Sequence, residues 1–231
     1  LLEVKELSVS FKGEAGNFSP LIDINFSLNK GQAVAIVGES GSGKSLSTSA
    51  IMHLLPTVAN IDKGKIRFDG EDITHAPEST MKSLRGRRMA MVFQNAHKSL
   101  NPIISVGKQI ADVYRQHFGG SKKVAWARAV EALKATGIPD PYNRSRLYPY
   151  EYSGGMAQRA MIAMALACKP DLLIADEPTS GLDVTIQIQV LDLIKRVTQE
   201  TGAALLMITH DINIIKGMCE RIVVMYSGMV M

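Results

Sequence analysis

The chain alternates short apolar runs with segments in which apolar residues recur at helical spacing. Three runs, 33–37, 172–175 and 205–208, are apolar throughout, as expected of strands buried on both faces of a parallel sheet. Other strand-like runs cover residues 2–11, 21–28, 65–70, 88–94 and 221–228. Helical patterns cover residues 44–55, 122–136 and 184–200. Strands that alternate with helices predict an α/β fold with a mainly parallel core sheet.

Two of the helical patterns predict which residues face the core. In 122–136 the residues Trp126, Val130 and Leu133 recur at helical spacing, so we expect them on one buried face. In 184–200 an apolar stripe runs the length of the segment, Asp183 is placed to cap its start, and Gly202 lies just past its end. The stretch from about 98 to 160 looks mostly helical. It predicts a helical subdomain inserted into a core made of about 1–97 and 161–231.

Composition narrows the class of protein only slightly. Hydrophobic residues make up 46% of the chain and charged residues 21%, which is ordinary for a soluble globular protein. The net charge of +4 is too small to indicate a nucleic-acid partner by itself. Cys168 and Cys219 form no CxxC or Cys/His cluster and fit a reducing compartment. We expect no membrane span and no signal peptide, and we expect the chain to be part of a longer polypeptide.

The clearest chemical motif is "GESGSGKS" at residues 38–45, which fits GxxxxGK[ST] between a buried strand and a predicted helix. Gly41 and Gly43 allow backbone conformations in which successive N–H groups face one anion. Lys44 supplies a charge for β- and γ-phosphates, and Ser45 supplies a hydroxyl for Mg²⁺. A plain glycine-rich turn is the alternative. Because motif and context agree, the sequence predicts a nucleoside triphosphate site.

Polar side chains also follow other strand-like runs. Asp176 and Glu177 end the run at 172–175, where an aspartate can hold Mg²⁺ through water and a glutamate can orient or deprotonate a water. Solvated acids at a strand end are the alternative. Gln94 and His210 end two further runs and suit a metal or phosphate contact, although local hydrogen bonding explains either residue equally well.

A second glycine pair lies in "YSGGMAQR" at 152–159. Ser153, Gly154 and Gly155 begin an apolar helical segment, so their N–H groups and the helix dipole suit an anion. Taken alone, a glycine-rich helix start explains this segment as well. In order, "GESGSGKS", Gln94, "YSGGMAQR", "LLIADEP", "SGLD" and "ITHD" resemble the motif set of ATP-binding cassette (ABC) ATPases over nearly the whole chain. The resemblance implies a RecA-like P-loop NTPase core with an antiparallel β subdomain and an inserted α-helical signature subdomain.

The same resemblance implies roles for individual residues. Two domains would dimerise head to tail, each holding ATP on its phosphate loop and closing its signature loop over the ATP of the other. Glu177 would be the base, His210 the γ-phosphate switch, and Asp183 a residue that crosses the interface. Phe11 would stack on adenine, with Phe18 as the alternate, although either could instead belong to the core. The ATP ligands would be Gly38, Glu39, Ser40, Gly41, Ser42, Gly43, Lys44, Ser45 and Leu46, the signature contacts Ser153, Gly154, Gly155 and Gln158, and the Mg²⁺ ligands Ser45, Gln94 and Asp176.

The signature segment also indicates a subgroup. Tyr152 replaces the family's usual leucine and Met156 a common glutamine, and "YPYEYSGGMAQR" resembles the peptide/nickel importer ATPases. That resemblance implies ATP hydrolysis that drives uptake of peptides, nickel, metal chelates or related small solutes. The implied partners are a second ATPase (paralogue or self), two permease subunits and an extracytoplasmic solute-binding protein, with no nucleic acid.

The implied location is the cytoplasmic face of the membrane, and the group's usual C-terminal extension is absent from this chain. A non-transport ABC ATPase of DNA repair or translation and a regulatory cassette without turnover are the alternatives. The first usually carries long coiled coils or a second cassette, and neither is visible in this sequence. Intact Glu177 and His210 argue against the second.

Overall fold

The computed structural model describes residues 1–13 and 16–231. Its strands are β1 (Leu2–Gly13), β2 (Gly16–Leu28), β3 (Ala33–Gly38), β4 (Ala59–Phe68), β5 (Glu71–Asp72), β6 (Met89–Val92), β7 (Leu172–Asp176), β8 (Ala204–Thr209), β9 (Arg221–Tyr226) and β10 (Met229–Val230). Its α-helices are α1 (Lys44–Ile51), α2 (Glu78–Leu84), α3 (Ala96–Ser99), α4 (Val106–Phe118), α5 (Lys122–Ala135), α6 (Pro141–Arg144), α7 (Gly154–Leu166), α8 (Val184–Thr201) and α9 (Ile212–Ile215). The chain divides into two compact units, Leu1–Arg85 with Ala204–Met231, and Gly86–Ala203.

The first unit contains an antiparallel sheet in the order β2-β1-β4-β5. Strand β1 pairs along its length with both β2 and β4, and its register shifts at several points. The side chains of Leu7, Val9, Leu21 and Ile24 are fully buried between these strands and the rest of the unit. This sheet is the antiparallel β subdomain that the family resemblance implies.

The first unit also contains parallel strands. Strand β3 lies between β8 and β9 and runs parallel to both, whereas β10 pairs antiparallel with β9. Every residue of β8 is buried, and Val34–Val37 of β3 are buried as well. Sheets of this kind bury both faces, which confirms what the unbroken apolar runs predict. Strand β9 differs, because Ile222 and Val224 are exposed while Val223 and Met225 are buried.

The second unit packs helices around a pair of parallel strands. Strand β6 pairs with β7, and helix α7 packs against β6 and against α3, α4, α5 and α8. Helix α5 contradicts part of the predicted helix face, because Ala125, Ala129 and Leu133 are its buried residues while Trp126 and Val130 are half-exposed. The small alanines let α4 and α7 approach closely, and the larger side chains turn away. The unit is therefore helix-rich, and the parallel sheet with its helices confirms the predicted α/β class.

Some boundaries also differ from the sequence pattern. Helix α1 ends at Ile51 and not at residue 55, since Leu55 precedes Pro56 and the residue before a proline disfavours helical geometry. Strand β4 begins at Ala59, six residues before the predicted run, because pairing with β1 extends over polar residues such as Asn60. The predicted limits of the helical subdomain, about 98–160, stay a prediction. Across residues 1–13 and 16–231, no helix is both long and apolar enough to cross a membrane.

Candidate nucleotide site

The phosphate loop lies in the first unit, between β3 and α1. Helix α1 begins at Lys44, and Gly43 at its N-cap has φ 94° and supplies no side-chain acceptor. The N–H groups of a helix's first turn have no partner within the helix, so a side chain, water or ligand must satisfy them. A loop that ends in an uncapped helix start therefore suits an anion, as the motif predicts. Ser45 is exposed at this start and Leu46 half-buried.

The loop backbone holds the Lys44 side chain in place. That side chain is only 5% exposed, and its Nζ donates to the carbonyl oxygens of Gly38 at 2.8 Å and of Glu39 at 2.7 Å. An ammonium group has three N–H donors, so a third remains for an anion in the loop. Burying a charge is costly unless polar groups compensate it, and these two carbonyls do so.

The glycine at the N-cap is required by space as well as by φ. A Cβ on Gly43 would lie 2.4 Å from Leu21 Cδ2 and 3.1 Å from the carbonyl oxygen of Pro20. Ser42 is 3% exposed, and its Oγ makes no hydrogen bond in the structure. A buried hydroxyl without a hydrogen-bond partner is unusual, and it is consistent with a loop that binds a polar ligand. Glu39, Ser40 and Gly41 are exposed on the outside of the loop.

His210 lies in the first unit at the same sheet edge as the loop. Thr209, the last residue of β8, pairs with Val37 of the parallel strand β3, so His210 and Gly38 follow at the same end. The imidazole is exposed. Its predicted contact with a γ-phosphate stays a prediction.

The two aromatic candidates for adenine stacking are neighbours. Phe11 on β1 lies directly opposite Phe18 on β2, and its other partner is Ala59 on β4. Phe18 is 67% exposed and Phe11 is half-buried. Neither ring belongs to the fully buried core. The pairing of Phe11 with Phe18 could not be predicted from the sequence, because the register of β1 shifts along its length.

The strand-end acids lie in the second unit with Gln94. Val92 of β6 pairs with Ala175 of β7, so Gln94 and Asp176 follow at the same edge. Asp176 is 8% exposed. Glu177 adopts a left-handed backbone with φ 44°, which is uncommon for a residue other than glycine. Such a backbone turns the glutamate away from the direction that the strand would impose, so the two neighbouring acids face differently.

A hydrogen-bond cluster holds Glu177. The amide Nε2 of Gln94 donates to Glu177 Oε2 at 3.0 Å and also reaches the Oγ of Ser180 at 3.2 Å. The backbone N–H of Ser180 donates to the carbonyl of Glu177 at 3.0 Å. Ser180 is thus a candidate site residue to which the sequence analysis assigns no role, although it lies in the "SGLD" motif.

The signature segment begins helix α7 in the second unit. Ser153 is exposed and caps the helix, with its Oγ accepting from the N–H of Met156 at 3.3 Å. Asp183 caps α8 in the same way, accepting from the N–H of Ile186 at 3.0 Å, and Gly202 follows that helix with φ 71°. Both ends of α8 therefore confirm the predicted caps.

The two helix starts pack closely. A Cβ on Gly155 would lie 2.7 Å from Ile186 Cγ2, and one on Gly154 would lie 3.5 Å from Leu182 Cδ2. The structure therefore places the signature glycines beside the segment that carries Asp183. Gln158 is only 3% exposed and its Nε2 lacks a hydrogen-bond partner, so its predicted contact with a nucleotide stays a prediction.

Two residues that flank the signature glycines position this segment. Tyr152 is buried, its hydroxyl donates to the carbonyl of Arg144 at 2.9 Å, and burial raises its pKa to about 12. Arg159 donates to the carbonyl of Thr136 at 3.0 Å and to Gln189 Oε1 at 2.8 Å, which ties α7 to the end of α5 and to α8.

The candidate site residues therefore fall into two groups. The phosphate loop, His210 and the aromatic pair belong to the first unit, whereas Gln94, Asp176, Glu177, the signature segment and Asp183 belong to the second. Within each unit some of these residues follow the carboxyl ends of paired parallel strands, Gly38 and His210 in the first and Gln94 and Asp176 in the second, which is where open α/β sheets bind ligands.

The chain belongs to the ABC transporter family, whose sequence profile matches residues 21–180. Within that family it is similar to the oligopeptide transport ATP-binding protein OppD of Bacillus subtilis, at 48% identity over all 231 residues, and spans 64% of that protein's length. It is also 46% identical to the dipeptide transport ATP-binding protein DppD of Escherichia coli over 230 residues, covering 70% of that protein. These relatives confirm the subgroup that the signature segment predicts.

Solved structures of cassettes share the fold over the whole chain. A dimeric post-hydrolysis state of the ATP-binding cassette MJ0796 bound to ADP and Pi aligns with a TM-score of 0.89 and 27% identity, covering 100% of this chain and 96% of that one. CbiO1 from Clostridium perfringens, part of the transporter complex cbiONQ, aligns with a TM-score of 0.82 and 28% identity, covering 100% and 86%. The likeness confirms the predicted P-loop NTPase fold.

Proposed function

We propose that the chain binds and hydrolyses ATP as the ATPase subunit of an ABC importer. The observation that carries this proposal is the phosphate loop, which combines a buried Lys44 with the uncapped start of α1. Family membership supports the same assignment. The relatives named for oligopeptide and dipeptide transport support peptides as the solute class, with nickel and metal chelates as the related alternatives.

In the proposed mechanism the loop N–H groups and Lys44 bind the β- and γ-phosphates. Ser45, Gln94 and Asp176 would hold Mg²⁺, because hydroxyl, amide and carboxylate oxygens are the hard ligands that this ion prefers. The ion would neutralise charge on the phosphates. The oxygens of these three side chains suit Mg²⁺. The buried Oγ of Ser42 has no hydrogen-bond partner in the described residues, so the loop has another group that can bind a ligand.

Glu177 carries the proton chemistry in this proposal. A water attacks the γ-phosphorus, the bond to the β,γ-bridging oxygen breaks, and the water's proton passes to the Glu177 carboxylate. The Gln94 amide holds that carboxylate in place beforehand by donating to its Oε2, and the Oγ of Ser180 accepts from the same amide nitrogen. His210 contacts the γ-phosphate.

A second copy or a paralogue completes the site. The exposed Ser153 and the N-terminal dipole of α7 offer donors to the γ-phosphate on the other subunit's phosphate loop. The dimeric cassette with ADP and Pi supports this arrangement by analogy. Two permease subunits and an extracytoplasmic solute-binding protein are the remaining proposed partners, with the chain at the cytoplasmic face of the membrane.

Replacement of Lys44 tests the nucleotide assignment. Lys44→Ala removes a charge-assisted hydrogen bond to phosphate, so we expect ATP affinity to fall about 10- to 100-fold in equilibrium dialysis. Lys63→Ala, which removes an exposed cation from β4, is the matched control and should change affinity by less than about twofold. Undiminished ATP binding by Lys44→Ala would contradict the phosphate-loop assignment.

Transport is tested separately, in membrane vesicles that contain the chain with its permease subunits. We expect ATP-driven uptake of a labelled peptide that Glu177→Gln abolishes. ATP hydrolysis that responds to neither permeases nor peptide would favour a non-transport ATPase, whereas ATP binding without turnover in the presence of all partners would favour a regulatory cassette.

A further inference from the structure

A basic and aromatic cleft lies in the second unit, apart from the residues assigned to nucleotide. It is lined by Lys122, Lys123, Trp126, Val130, Tyr142 and Arg146, with one alanine among them. Its volume of 690 Å³ lies within the range of roughly 300–1,000 Å³ that is typical of small-molecule sites. We call it the α5–α6 cleft, since these residues come from helix α5 and from α6 with the residue two positions beyond it.

The cleft is formed by the side of α5 that adjoins its fully buried residues. Lys122, Trp126 and Val130 lie four residues apart and therefore share one side of the helix, whereas the buried side consists of Ala125, Ala129 and Leu133. Trp126 and Val130 are half-exposed at the edge of that buried side. Half-exposed Trp126 and Val130 therefore leave apolar surface open to a ligand in the cleft.

The charge of the cleft is entirely positive. Three of the lining residues are cations and none is an acid. Within residues 1–13 and 16–231, neither Lys122 nor Lys123 forms an ion pair, while the Arg146 guanidinium lies over the Tyr142 ring, 4.5 Å from its centroid. A cleft with three cations around an apolar floor complements a molecule that is anionic at one end and apolar at the other.

The hydrogen-bond donors in the cleft favour a lipid over an acidic peptide as its ligand. Peptide grooves supply fixed hydrogen-bonding groups or a strand edge that read the peptide backbone. Among its described lining residues the α5–α6 cleft has no amide and no carboxylate, and its donors are long cations with one phenol and one indole. Long cations reach phosphate from varied positions, and Trp and Tyr are the side chains that favour a membrane interface.

We propose that the α5–α6 cleft binds anionic phospholipid at a membrane surface, with the phosphate among Lys122, Lys123 and Arg146 and the apolar part against Trp126 and Val130. Such a contact would hold the second unit against the bilayer independently of any permease. The proposal does not depend on nucleotide, because none of these residues belongs to the phosphate loop, the strand-end acids or the signature segment.

The chain provides its own reporter for a test. Trp126 is its single tryptophan, so intrinsic emission reports on the cleft alone. We expect the emission to shift to shorter wavelength, and the protein to sediment with vesicles, when phosphatidylcholine vesicles contain phosphatidylglycerol. Vesicles of phosphatidylcholine alone should do neither. Rising salt should weaken the binding, since exposed charges are screened beyond a Debye length.

Charge variants show whether the cleft or the net charge is responsible. Each basic residue near an anionic surface contributes a factor of about five in partitioning, so Lys122→Gln with Lys123→Gln should weaken vesicle binding about 25-fold. Lys63→Gln with Lys65→Gln removes the same charge from exposed positions on β4 and should change binding by less than about twofold. Trp126→Ala, read by sedimentation, should also weaken binding.

Three results would overturn the proposal. Equal binding to vesicles with and without phosphatidylglycerol would exclude anionic lipid. Equal losses in the two double variants would mean that net charge, and not the cleft, attracts the vesicles. A shift of Trp126 emission with soluble poly-glutamate but not with vesicles would assign the cleft to an acidic protein segment. The assay contains no ATP, so each result leaves the proposed ATPase function untouched.

Discussion

Lys44 donates to two carbonyl oxygens of its own loop while it remains buried, and that arrangement could not be read from the motif. The motif predicts a lysine that meets phosphate. The structure adds that the loop backbone holds the ammonium in place without a ligand, through Gly38 and Glu39. Spacing predicts which residue type must be present, because the chemistry of phosphate sets it. It does not predict the hydrogen bonds, because these depend on backbone directions that only the folded loop defines.

Ser180 gives a second example of a contact that the sequence does not predict. Gln94 and Ser180 are 86 residues apart, and their hydrogen bond depends on the parallel pairing of β6 with β7. Gln94 and Glu177 were both assigned to the site from their positions after strand-like runs. Their direct hydrogen bond depends further on the left-handed backbone at Glu177, for which no local signal exists.

Glu177→Gln separates binding from hydrolysis. Glutamine can still accept the hydrogen bond from Gln94, but it cannot take a proton from water. A general base contributes about 10²- to 10⁴-fold, so we expect the rate of ATP hydrolysis to fall by at least about 100-fold while ATP affinity stays within about twofold. Steady-state phosphate release and equilibrium dialysis measure the two quantities. Turnover close to that of the unchanged protein would assign the base to another residue.

The two thiols should react slowly at neutral pH. Burial raises the pKa of Cys168 and of Cys219 from the ordinary 9.0 to about 11, and the reactive form is the thiolate. A pKa raised by two units leaves about 100-fold less thiolate at pH 8, so labelling with iodoacetamide should be slower by that factor than for an ordinary cysteine. The rate should rise about tenfold per pH unit up to pH 10. Labelling at pH 8 as fast as that of a small thiol would show that the thiols are not buried as described.

At the scale of elements, the first turns of α7 and α8 pack against each other. Ser153 and Asp183 cap the two helices, and Gly155 leaves no room for a side chain beside Ile186. The cap by Asp183 could be predicted, since an aspartate before an apolar helical pattern indicates a helix start, whereas the sequence analysis assigns Ser153 to anion contact and not to a cap. The close approach could not, because a pair of glycines is equally compatible with anion binding and with helix packing.

Gly155→Ala tests this packing. Its Cβ would lie 2.7 Å from Ile186 Cγ2, and Ile186 is a stiff, branched residue. We expect the free energy of unfolding to fall by about 1–3 kcal/mol, as for other overpacked sites. Gly154→Ala is the matched control, because its Cβ would meet Leu182 Cδ2 at an ordinary 3.5 Å and should cost less than about 0.5 kcal/mol.

A double variant shows whether Ile186 is the cause. Gly155→Ala in an Ile186→Ala background should lose little further stability, which denaturant unfolding of the four proteins would measure as a coupling free energy. Additive losses would instead mean that Ile186 is not the side chain that excludes a Cβ at position 155.

Helix α5 shows a limit of pattern reading at the same scale. The stripe of Trp126, Val130 and Leu133 is as regular as the stripe of Ala125, Ala129 and Leu133 that is buried. Large apolar residues normally indicate the core, but close helix packing favoured the alanines. Trp126 is instead half-exposed and lines the α5–α6 cleft, where the lipid contact is proposed.

At the scale of the whole molecule, the family and fold follow from the ordered motifs, and the comparisons confirm both. The individual motifs predict less. Each candidate group lies within one unit, and the two segments that we propose to bind phosphate, the phosphate loop and the signature, belong to different units. Two such segments in one chain make sense if they serve different nucleotides, the signature closing over ATP on a second subunit. That arrangement predicts a dimer that ATP stabilises.

The most direct test of that claim is the molar mass of Glu177→Gln with and without ATP, measured by light scattering during size-exclusion chromatography. We predict that ATP and Mg²⁺ convert the variant from monomer to dimer. Adding Ser153→Asp should keep the helix cap but place a carboxylate against the partner's γ-phosphate, so this double variant should bind ATP and remain a monomer. A Glu177→Gln protein that is saturated with ATP yet monomeric, or a dimer that Ser153→Asp leaves intact, would contradict the proposal that the signature segment completes the site of a second subunit.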